Sequence, residues 1–285
     1  MIGRTVHLTV SLARLARMAA HLVRGLWIAT TRYARLTPAG QDRELERWSR
    51  QLLAILRVRV ARHNAPEQLP ARCLLVLNHV SWLDIFALYT MAPCLFVAKS
   101  EIRGWPLVGR LVERVGTLFI ERGSRRHARR TNGHIVAAIA AGRLVAACPE
   151  GTTTDGRALL RFHATLLQPA IDAEATVLPL ALRYLDRRGE QTDAAAYVGE
   201  TSLVQSLWRI AREPGLTVEL RFASAIDARG RRRRELAARA HGLIARELGL
   251  PLGHRESEIA ADPPAESRTA HPPRRSPCPA PADPA

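Results

Sequence analysis

The chain has 285 residues, of which 47% are apolar, so it can bury a core, and wholly disordered or collagen-like proteins are excluded. Its formal net charge of +16 comes from 42 basic and 26 acidic residues. This positive charge favours an anionic partner, such as a phospholipid surface, nucleic acid or an acidic protein. The four cysteines are far apart and form no CxxC pair, which predicts neither a disulfide framework nor a metal site.

The first forty residues contain arginine but no acid, and they have the periodicity of an amphipathic helix. Its apolar stripe comprises Leu8, Leu12, Leu15, Ala19, Leu22 and Leu26. Its basic stripe, on the opposite side, comprises Arg14, Arg17, His21 and Arg24. Such a helix either packs on its own domain or lies on an anionic membrane surface. A second helix is predicted from Trp48 to Val60, and we assign residues 1–62 to amphipathic, membrane-associating helices.

Residues 63–250 are predicted to form an α/β domain, because short apolar runs alternate with helical patterns. The predicted strands are Cys73–Leu77, Leu95–Ala98, Gly116–Ile120, Leu144–Cys148, Val177–Leu182 and Thr217–Phe222. The predicted helices are Trp82–Met91, Pro106–Val115 and Arg125–Ala141. The pattern indicates a mixed, largely parallel sheet flanked by helices, with reactive loops at strand ends. Residues 251–285 hold nine of the 18 prolines and are predicted to be a disordered tail.

A histidine and a carboxylate follow the first predicted strand of this domain, where residues 78–84 read NHVSWLD. His79 and Asp84 meet only if His79 lies in the loop and Asp84 in the first helical turn, which Ser81 can cap. An aspartate that accepts a hydrogen bond from one imidazole nitrogen leaves the other nitrogen free to act as a base. No GxSxG motif supplies a serine nucleophile, and a purely structural His-Asp pair is the alternative interpretation.

Two further strands end in polar segments. The strand that begins at Gly116 continues into Arg122, whose guanidinium can hold a phosphate through two hydrogen bonds, although Arg122 also opens an arginine-rich helix face. The strand Leu144–Cys148 runs into PEGTTTDG, a turn that places a carboxylate, a glycine and three hydroxyl groups at a strand end. An ordinary polar turn is the alternative there.

Taken in order, these segments resemble the four sequence blocks of the glycerolipid acyltransferase family, the lysophosphatidate or PlsC-like acyltransferases. The blocks are NHxSxxD, GxxFIxR, PEGT and, from residue 177, VLPL, and the resemblance covers roughly residues 70–225. It implies an O-acyltransferase that moves a fatty acyl group from an acyl thioester, acyl-CoA or acyl-ACP, to the free hydroxyl of a lyso-lipid. No metal or redox cofactor is expected, because the acyl thioester is a co-substrate.

The resemblance also implies a role for individual residues. His79 removes the proton of the acceptor hydroxyl and Asp84 orients the imidazole, so that the acceptor attacks the thioester with no acyl-enzyme intermediate. The residues that it assigns to acceptor binding are Lys99, Arg122, Glu150, Gly151 and Thr152, of which the first two would contact a phosphate. Lys99 is the only lysine of the chain.

The third block departs from the EGTRS that is common in lysophosphatidate acyltransferases, because Thr153 replaces the arginine. EGTTT-like versions are similar to enzymes that acylate other lyso-lipids, including lyso-ornithine lipid. The expected acceptor is 1-acyl-sn-glycerol 3-phosphate, which gives phosphatidate, and lyso-ornithine lipid is the alternative. The expected partners are membrane lipids and the acyl-CoA or acyl carrier protein donor, with a peripheral or monotopic enzyme on the cytoplasmic face of the membrane.

Two other classes of protein compete with this interpretation. A nucleic-acid-binding protein would use the net charge and the run Arg231–Arg234, but that run has no interleaved aromatic residues and only 5% of the chain is aromatic. We therefore expect no nucleic-acid partner. A lyso-lipid hydrolase would use His79 to activate water in place of an acceptor hydroxyl.

Overall fold

A computed structural model describes residues 2–104, 108–120 and 125–251 of the chain, with side chains from residue 8 onward except those of residues 99, 101, 108 and 125–128. In these ranges eight strands form one sheet with helices on both of its faces. The predicted mixed, largely parallel α/β sheet, preceded by a helical segment, is confirmed. The tail prediction lies outside the described residues beyond residue 251, and so does Pro106.

The strands are β1 Val58–His63, β2 Cys73–Leu77, β3 Leu95–Lys99, β4 Leu118–Ile120, β5 Val145–Ala147, β6 Thr176–Leu185, β7 Leu216–Phe222 and β8 Ile226–Asp227. The helices are α1 Ile2–Thr31, α2 Pro38–Ile55, α3 Leu83–Tyr89, α4 Val108–Arg114, α5 Arg125–Ala140, α6 Gln168–Asp172, α7 Leu203–Arg212 and α8 Arg233–Leu248. Local sequence explains where several begin and end. For example, Ser202 and Gln205 form a capping box at the start of α7, and Gly249 ends α8 with φ of 68°.

The strand order is β1-β7-β6-β2-β5-β3-β4, with the short β8 pairing beside β6. The five strands β6, β2, β5, β3 and β4 are parallel to one another, whereas β7 is antiparallel to β6 and β1 is parallel to β7. The carboxyl ends of β2, β3, β4 and β5 therefore meet at one edge of the sheet. We call this the catalytic edge, because it is where the motif-bearing loops emerge.

Alternate residues of the buried strands serve two separate cores. Leu75 and Leu77 of β2 point toward the face covered by α1, α2, α3 and α7, whereas Leu74 and Val76 point toward α5, α6 and α8. All five residues of β2 are buried. This is the continuous apolar pattern of a central strand that is covered on both faces.

The N-terminal helix turns a different face toward the domain than its leucine stripe suggested. Arg14 and His21, which the sequence placed on the solvent-facing stripe, are buried. The Arg14 guanidinium donates hydrogen bonds to the carbonyl oxygens of Ala211 (2.8 Å) and Glu213 (2.6 Å) at the end of α7. His21 stacks on Trp48 of α2, with 4.5 Å between ring centroids.

The apolar stripe of α1 is only partly turned outward, because Leu15, Leu22 and Leu26 are half-buried and Leu22 packs against the core. Leu8, Leu12, Val23 and Trp27 are between 47% and 61% exposed. Arg17 and Arg24 are also exposed, and they flank this surface. Within the described ranges, none of the helices combines the length and the apolar character needed to cross a bilayer.

The predicted second helix is wrong at its C-terminal end. It ends at Ile55, and Val58 and Val60 lie instead in β1, which pairs with β7 along the edge of the sheet. The reversal between α2 and β1 occurs at Arg57, which has a positive φ of 55°. The division of the chain between residues 62 and 63 thus falls inside a strand of the sheet.

Candidate active site

The loop that carries the histidine begins where β2 ends, and an asparagine side chain fixes its start. The Asn78 amide donates to the carbonyl oxygen of Leu182 (2.8 Å), and its oxygen accepts from the Leu182 N–H (2.7 Å). The side chain thereby continues the ladder between β2 and β6 by one step beyond the strand. The buried Asn78 aligns the next residue, His79, at the catalytic edge.

The His79 and Asp84 side chains form the pair that the motif predicts. The His79 Nδ1 and Asp84 Oδ2 atoms are 2.8 Å apart. His79 lies in the loop, and Asp84 in the first turn of α3, which begins at Leu83. The Ser81 hydroxyl accepts a hydrogen bond from the N–H of Leu83 (3.3 Å), but the N-cap residue of this helix is Trp82, one residue after the cap that the sequence predicted.

The Asp84 carboxylate is fully buried and receives hydrogen bonds at both oxygens. Besides the imidazole, Oδ2 accepts the backbone N–H groups of Val80 (2.8 Å) and Ser81 (3.0 Å). The other oxygen, Oδ1, accepts the hydroxyl of Tyr184 on β6 (2.7 Å). These donors compensate the buried negative charge and fix the orientation of the carboxylate.

The Glu150 carboxylate connects the PEGT turn to the histidine loop. Its Oε1 accepts the backbone N–H of His79 (2.8 Å), and its Oε2 accepts that of Leu160 (2.9 Å). The carbonyl oxygen of His79 accepts the N–H of Thr154 (2.8 Å). Thr153 donates its hydroxyl to the carbonyl oxygen of Tyr197. The turn after β5 therefore holds the histidine loop at both the backbone N–H and the backbone carbonyl of His79.

Burial and neighbouring groups shift the pKa values of three side chains at the site. Burial lowers the pKa of His79, but the Cys148 sulfur and the Asp84 carboxylate beside it raise the pKa by more, so it lies well above 6.5. Burial also raises the pKa of Glu150 above 4.5, although the N–H groups of Leu160 and His79 counteract this rise. Burial raises the pKa of Tyr184 well above 10, so its hydroxyl keeps its proton.

Of the remaining predicted site residues, the backbones of Lys99, Gly151 and Thr152 lie along the same edge. Lys99 ends β3, two strands from β2, and its side chain lies outside the described atoms. Arg122 follows β4 and lies outside the described residues altogether. Gly151 has a positive φ of 67°, which favours glycine, and Thr152 is exposed.

Sequence reasoning missed Tyr184. It lies on β6, one hundred residues from Asp84, in a run that reads as ordinary strand. A buried tyrosine needs a hydrogen-bond partner for its hydroxyl, and this need was the only available signal.

Comparison with known proteins agrees with the motif. The family model described as Acyltransferase matches residues 57–183. A Neisseria meningitidis protein named 1-acyl-sn-glycerol-3-phosphate acyltransferase is 38% identical over 191 residues, which are 67% of this chain and 74% of the relative. A Pseudomonas aeruginosa lyso-ornithine lipid O-acyltransferase is 38% identical over 242 residues, 82% of this chain and 91% of the relative.

A solved structure has the same fold. The crystal structure of the 1-acyl-sn-glycerophosphate acyltransferase PlsC from Thermotoga maritima superimposes with a TM-score of 0.58 at 19% identity, covering 88% of this chain and 100% of that chain. The chain belongs to the acyltransferase family of these relatives, and it is an O-acyltransferase.

Proposed function

We propose that the chain transfers a fatty acyl group from an acyl thioester to the free hydroxyl of a lyso-lipid, with His79 as the general base. The hydrogen bond between His79 Nδ1 and the buried Asp84 carboxylate carries this proposal. It assigns the ring proton to Nδ1, because the carboxylate can only accept. The other nitrogen, Nε2, is then the one that takes a proton.

In this reaction Nε2 removes the hydroxyl proton as the acceptor oxygen attacks the thioester carbon. The tetrahedral intermediate collapses with cleavage of the carbon–sulfur bond, and the leaving thiolate recovers the proton from the imidazolium. An ester and a free thiol are the products, and no acyl group is attached to the protein. Asp84 stabilises the imidazolium while it exists, as in other His-Asp pairs.

We propose 1-acyl-sn-glycerol 3-phosphate as the acceptor, with Lys99 and Arg122 binding its phosphate beside Gly151 and Thr152. Lys99 ends β3, and Arg122 follows the neighbouring parallel strand β4 in the sequence. A guanidinium and an ammonium group together suit a phosphate dianion. Lyso-ornithine lipid is a second candidate. Its support is that the P. aeruginosa relative matches 82% of this chain, against 67% for the N. meningitidis relative.

An apolar cleft supports the proposal that the substrate carries a fatty acyl chain. It lies between α1, α2, α3 and β3, and its walls include Ile28, Leu45, Trp48, Ile85, Phe86 and Phe96. The cleft has a volume of about 60 Å³, and two of its wall residues, Ile85 and Phe86, directly follow Asp84 in the chain. Acyl methylene groups that leave water for such walls gain about 0.8 kcal/mol each.

We further propose that the outward apolar face of α1 holds the enzyme on the cytoplasmic face of the membrane. Leu8, Leu12, Val23 and Trp27 supply buried apolar area at the lipid interface, and the exposed Arg17 and Arg24 can attract anionic headgroups. The acyl thioester donor is the expected co-substrate, without a metal or redox cofactor.

The test assays membranes containing the full chain with both lyso-acceptors and both donor types, acyl-CoA and acyl-ACP. His79→Ala is compared with His134→Ala, which removes an exposed histidine on α5. We expect transfer to 1-acyl-sn-glycerol 3-phosphate, a loss of ~10²–10⁴-fold in His79→Ala, and normal rates in His134→Ala. Retention of a tenth of the activity by His79→Ala contradicts the proposed base. Fatty acid release that is independent of acceptor indicates a hydrolase.

A further inference from the structure

A second groove lies at the outer edge of the sheet and has a volume of about 570 Å³. Its floor is the edge strand β1 with the residues just before β7. Its walls come from α2 and from the loop after β6. Five arginines line it: Arg50, Arg57, Arg59, Arg62 and Arg187. We call this the basic groove.

Most of the charge in the basic groove has no acidic partner. Arg50 pairs with Glu46 on α2. Arg57, Arg59, Arg62 and Arg187 are exposed and, within the part of the chain that the structure describes, make no ion pair. Elsewhere on the same sheet the arginines are paired, as Arg183 and Arg221 are with Glu219. Unpaired like charges around one concavity repel one another and create a strong positive potential, which an anion relieves.

The strand directions place one end of this groove at the catalytic edge. The strand registers place Arg62, near the end of β1, level with Leu182 of β6, the residue that Asn78 contacts directly before His79. Arg57 precedes β1, Gly215 precedes β7 and Arg187 follows β6, so these three lie at the far end of the groove, because β6 extends five residues beyond Leu180, which pairs with the last residue of β2. The Arg187 side chain passes Gly215, where its Cγ lies 3.6 Å from the position of an added Cβ.

The separation between the groove and His79 follows from the strand order. Three strand spacings separate β1 from β2. At ~4.8 Å each they amount to about 14 Å. The pantetheine arm of an acyl thioester links its sulfur to a phosphate through about twelve covalent bonds. This corresponds to ~4 extended residues, or about 14 Å. A thioester held at His79 can therefore place its first phosphate near Arg62, and the nucleotide beyond that phosphate can extend along the groove toward Arg57 and Arg187.

We infer that the basic groove binds the phosphorylated nucleotide end of an acyl-CoA donor while its thioester lies at His79. This inference rests on the proposed function for the donor class and adds the site that recognises it. The guanidinium groups match phosphate oxygens in bidentate geometry and can stack on the adenine ring. A concave site of this volume suits a nucleotide, whereas docking of a carrier protein requires an extended surface.

The first experiment measures binding without catalysis, using adenosine 3′,5′-bisphosphate and the full chain in calorimetry. Arg59→Glu and Arg187→Glu are compared with Arg239→Glu, a matched charge reversal at an exposed position of α8. We expect each groove variant to weaken binding by about tenfold or more, because it replaces a charge-assisted contact with repulsion. Arg239→Glu should bind normally. No binding to the wild type, or equal weakening in all three variants, overturns the inference.

The second experiment compares palmitoyl-CoA with S-palmitoyl pantetheine, which has the same thioester and no phosphate. The groove variants should raise the KM for palmitoyl-CoA about tenfold, with kcat and the KM for the pantetheine thioester unchanged. A higher KM for both donors overturns the inference. So does a defect confined to palmitoyl-ACP, which indicates a carrier-protein dock, or to vesicle binding, which indicates a lipid site. If no donor supports transfer, the proposed function fails, and the nucleotide binding experiment still decides the inference.

Discussion

Replacing Tyr184 by phenylalanine tests how the buried Asp84 carboxylate is held. The substitution removes a single oxygen atom from a fully buried position. The Tyr184 hydroxyl is the donor to Asp84 Oδ1 at 2.7 Å, while three other donors serve Oδ2. Without it, one oxygen of a buried carboxylate has neither this donor nor ready access to water.

The structure sets the size of the expected effect. A hydrogen bond to a charged group contributes about 1.5–3 kcal/mol, so Tyr184→Phe should lower the free energy of unfolding by about 2 kcal/mol. We expect kcat to fall about tenfold, or about 1.4 kcal/mol in the barrier, because Asp84 orients His79 less well. The KM values of both substrates should stay unchanged, because Tyr184 is too deeply buried to contact either.

The pH profile separates this role from simple destabilisation. The base must be neutral, and the pKa of His79 lies well above 6.5, so kcat/KM should rise with pH through that raised value. Loss of the Tyr184 donor leaves more negative charge on Asp84 facing the imidazolium, which should move the rise to higher pH. Asp84→Asn removes the charge and should move it to lower pH.

The control is Ile244→Val in the core on the opposite face of the sheet, which should cost about 1 kcal/mol of stability. It should keep both the wild-type kcat and the pH profile. An unchanged pH profile in Tyr184→Phe, or the same kinetic loss in Ile244→Val, would refute a positioning role for Tyr184.

Four further substitutions test other parts of the protein. Glu150→Gln leaves one side-chain acceptor for two backbone N–H groups, so it should lower the free energy of unfolding by about 1–3 kcal/mol and lower kcat. Denaturant unfolding and steady-state kinetics measure the two effects. Full activity would contradict the role of Glu150 in holding the histidine loop. Leu12→Asp should release the protein from anionic vesicles in co-sedimentation even at low salt, because the exposed apolar face loses burial, and undiminished sedimentation places the membrane contact elsewhere. Lys99→Ala and Arg122→Ala should raise the KM of the phosphorylated acceptor more than that of the donor, and a rise in the donor KM alone contradicts their assignment.

The sheet and the hydrogen-bonded pair of His79 and Asp84 were predictable because their signals are local. Each of the predicted strands is a short apolar run, and β2, buried along its whole length, has no polar residue to obscure it. His79 and Asp84 are five residues apart, so a strand end and a helix start suffice to bring them together. Contacts across a hundred residues, such as the one between Tyr184 and Asp84, have no such signal in a single sequence.

The orientation of α1 illustrates a different reason for failure. A periodic pattern shows that a helix has two unlike faces, but it does not show which face meets the protein. The leucine stripe normally packs inward. Here Arg14 is turned inward because the carbonyl groups at the end of α7 need donors, and two of them accept its guanidinium. Leu8 and Leu12 of the apolar stripe are then left exposed beside Val23 and Trp27, and a lipid interface or another apolar surface would bury them favourably.

The hydrogen bonds of the histidine loop give the order of the motif blocks a physical meaning. Asp84 orients the imidazole ring of His79. The backbone N–H and carbonyl of His79 are instead held by Glu150 and Thr154, in the turn that follows β5. The loop is therefore fixed only when β2 and β5 are paired side by side, as they are here. The NHxSxxD loop and the PEGT turn depend on each other, because polar groups of each form hydrogen bonds with polar groups of the other. A substitution in the PEGT turn can therefore lower the rate of acyl transfer without touching either substrate.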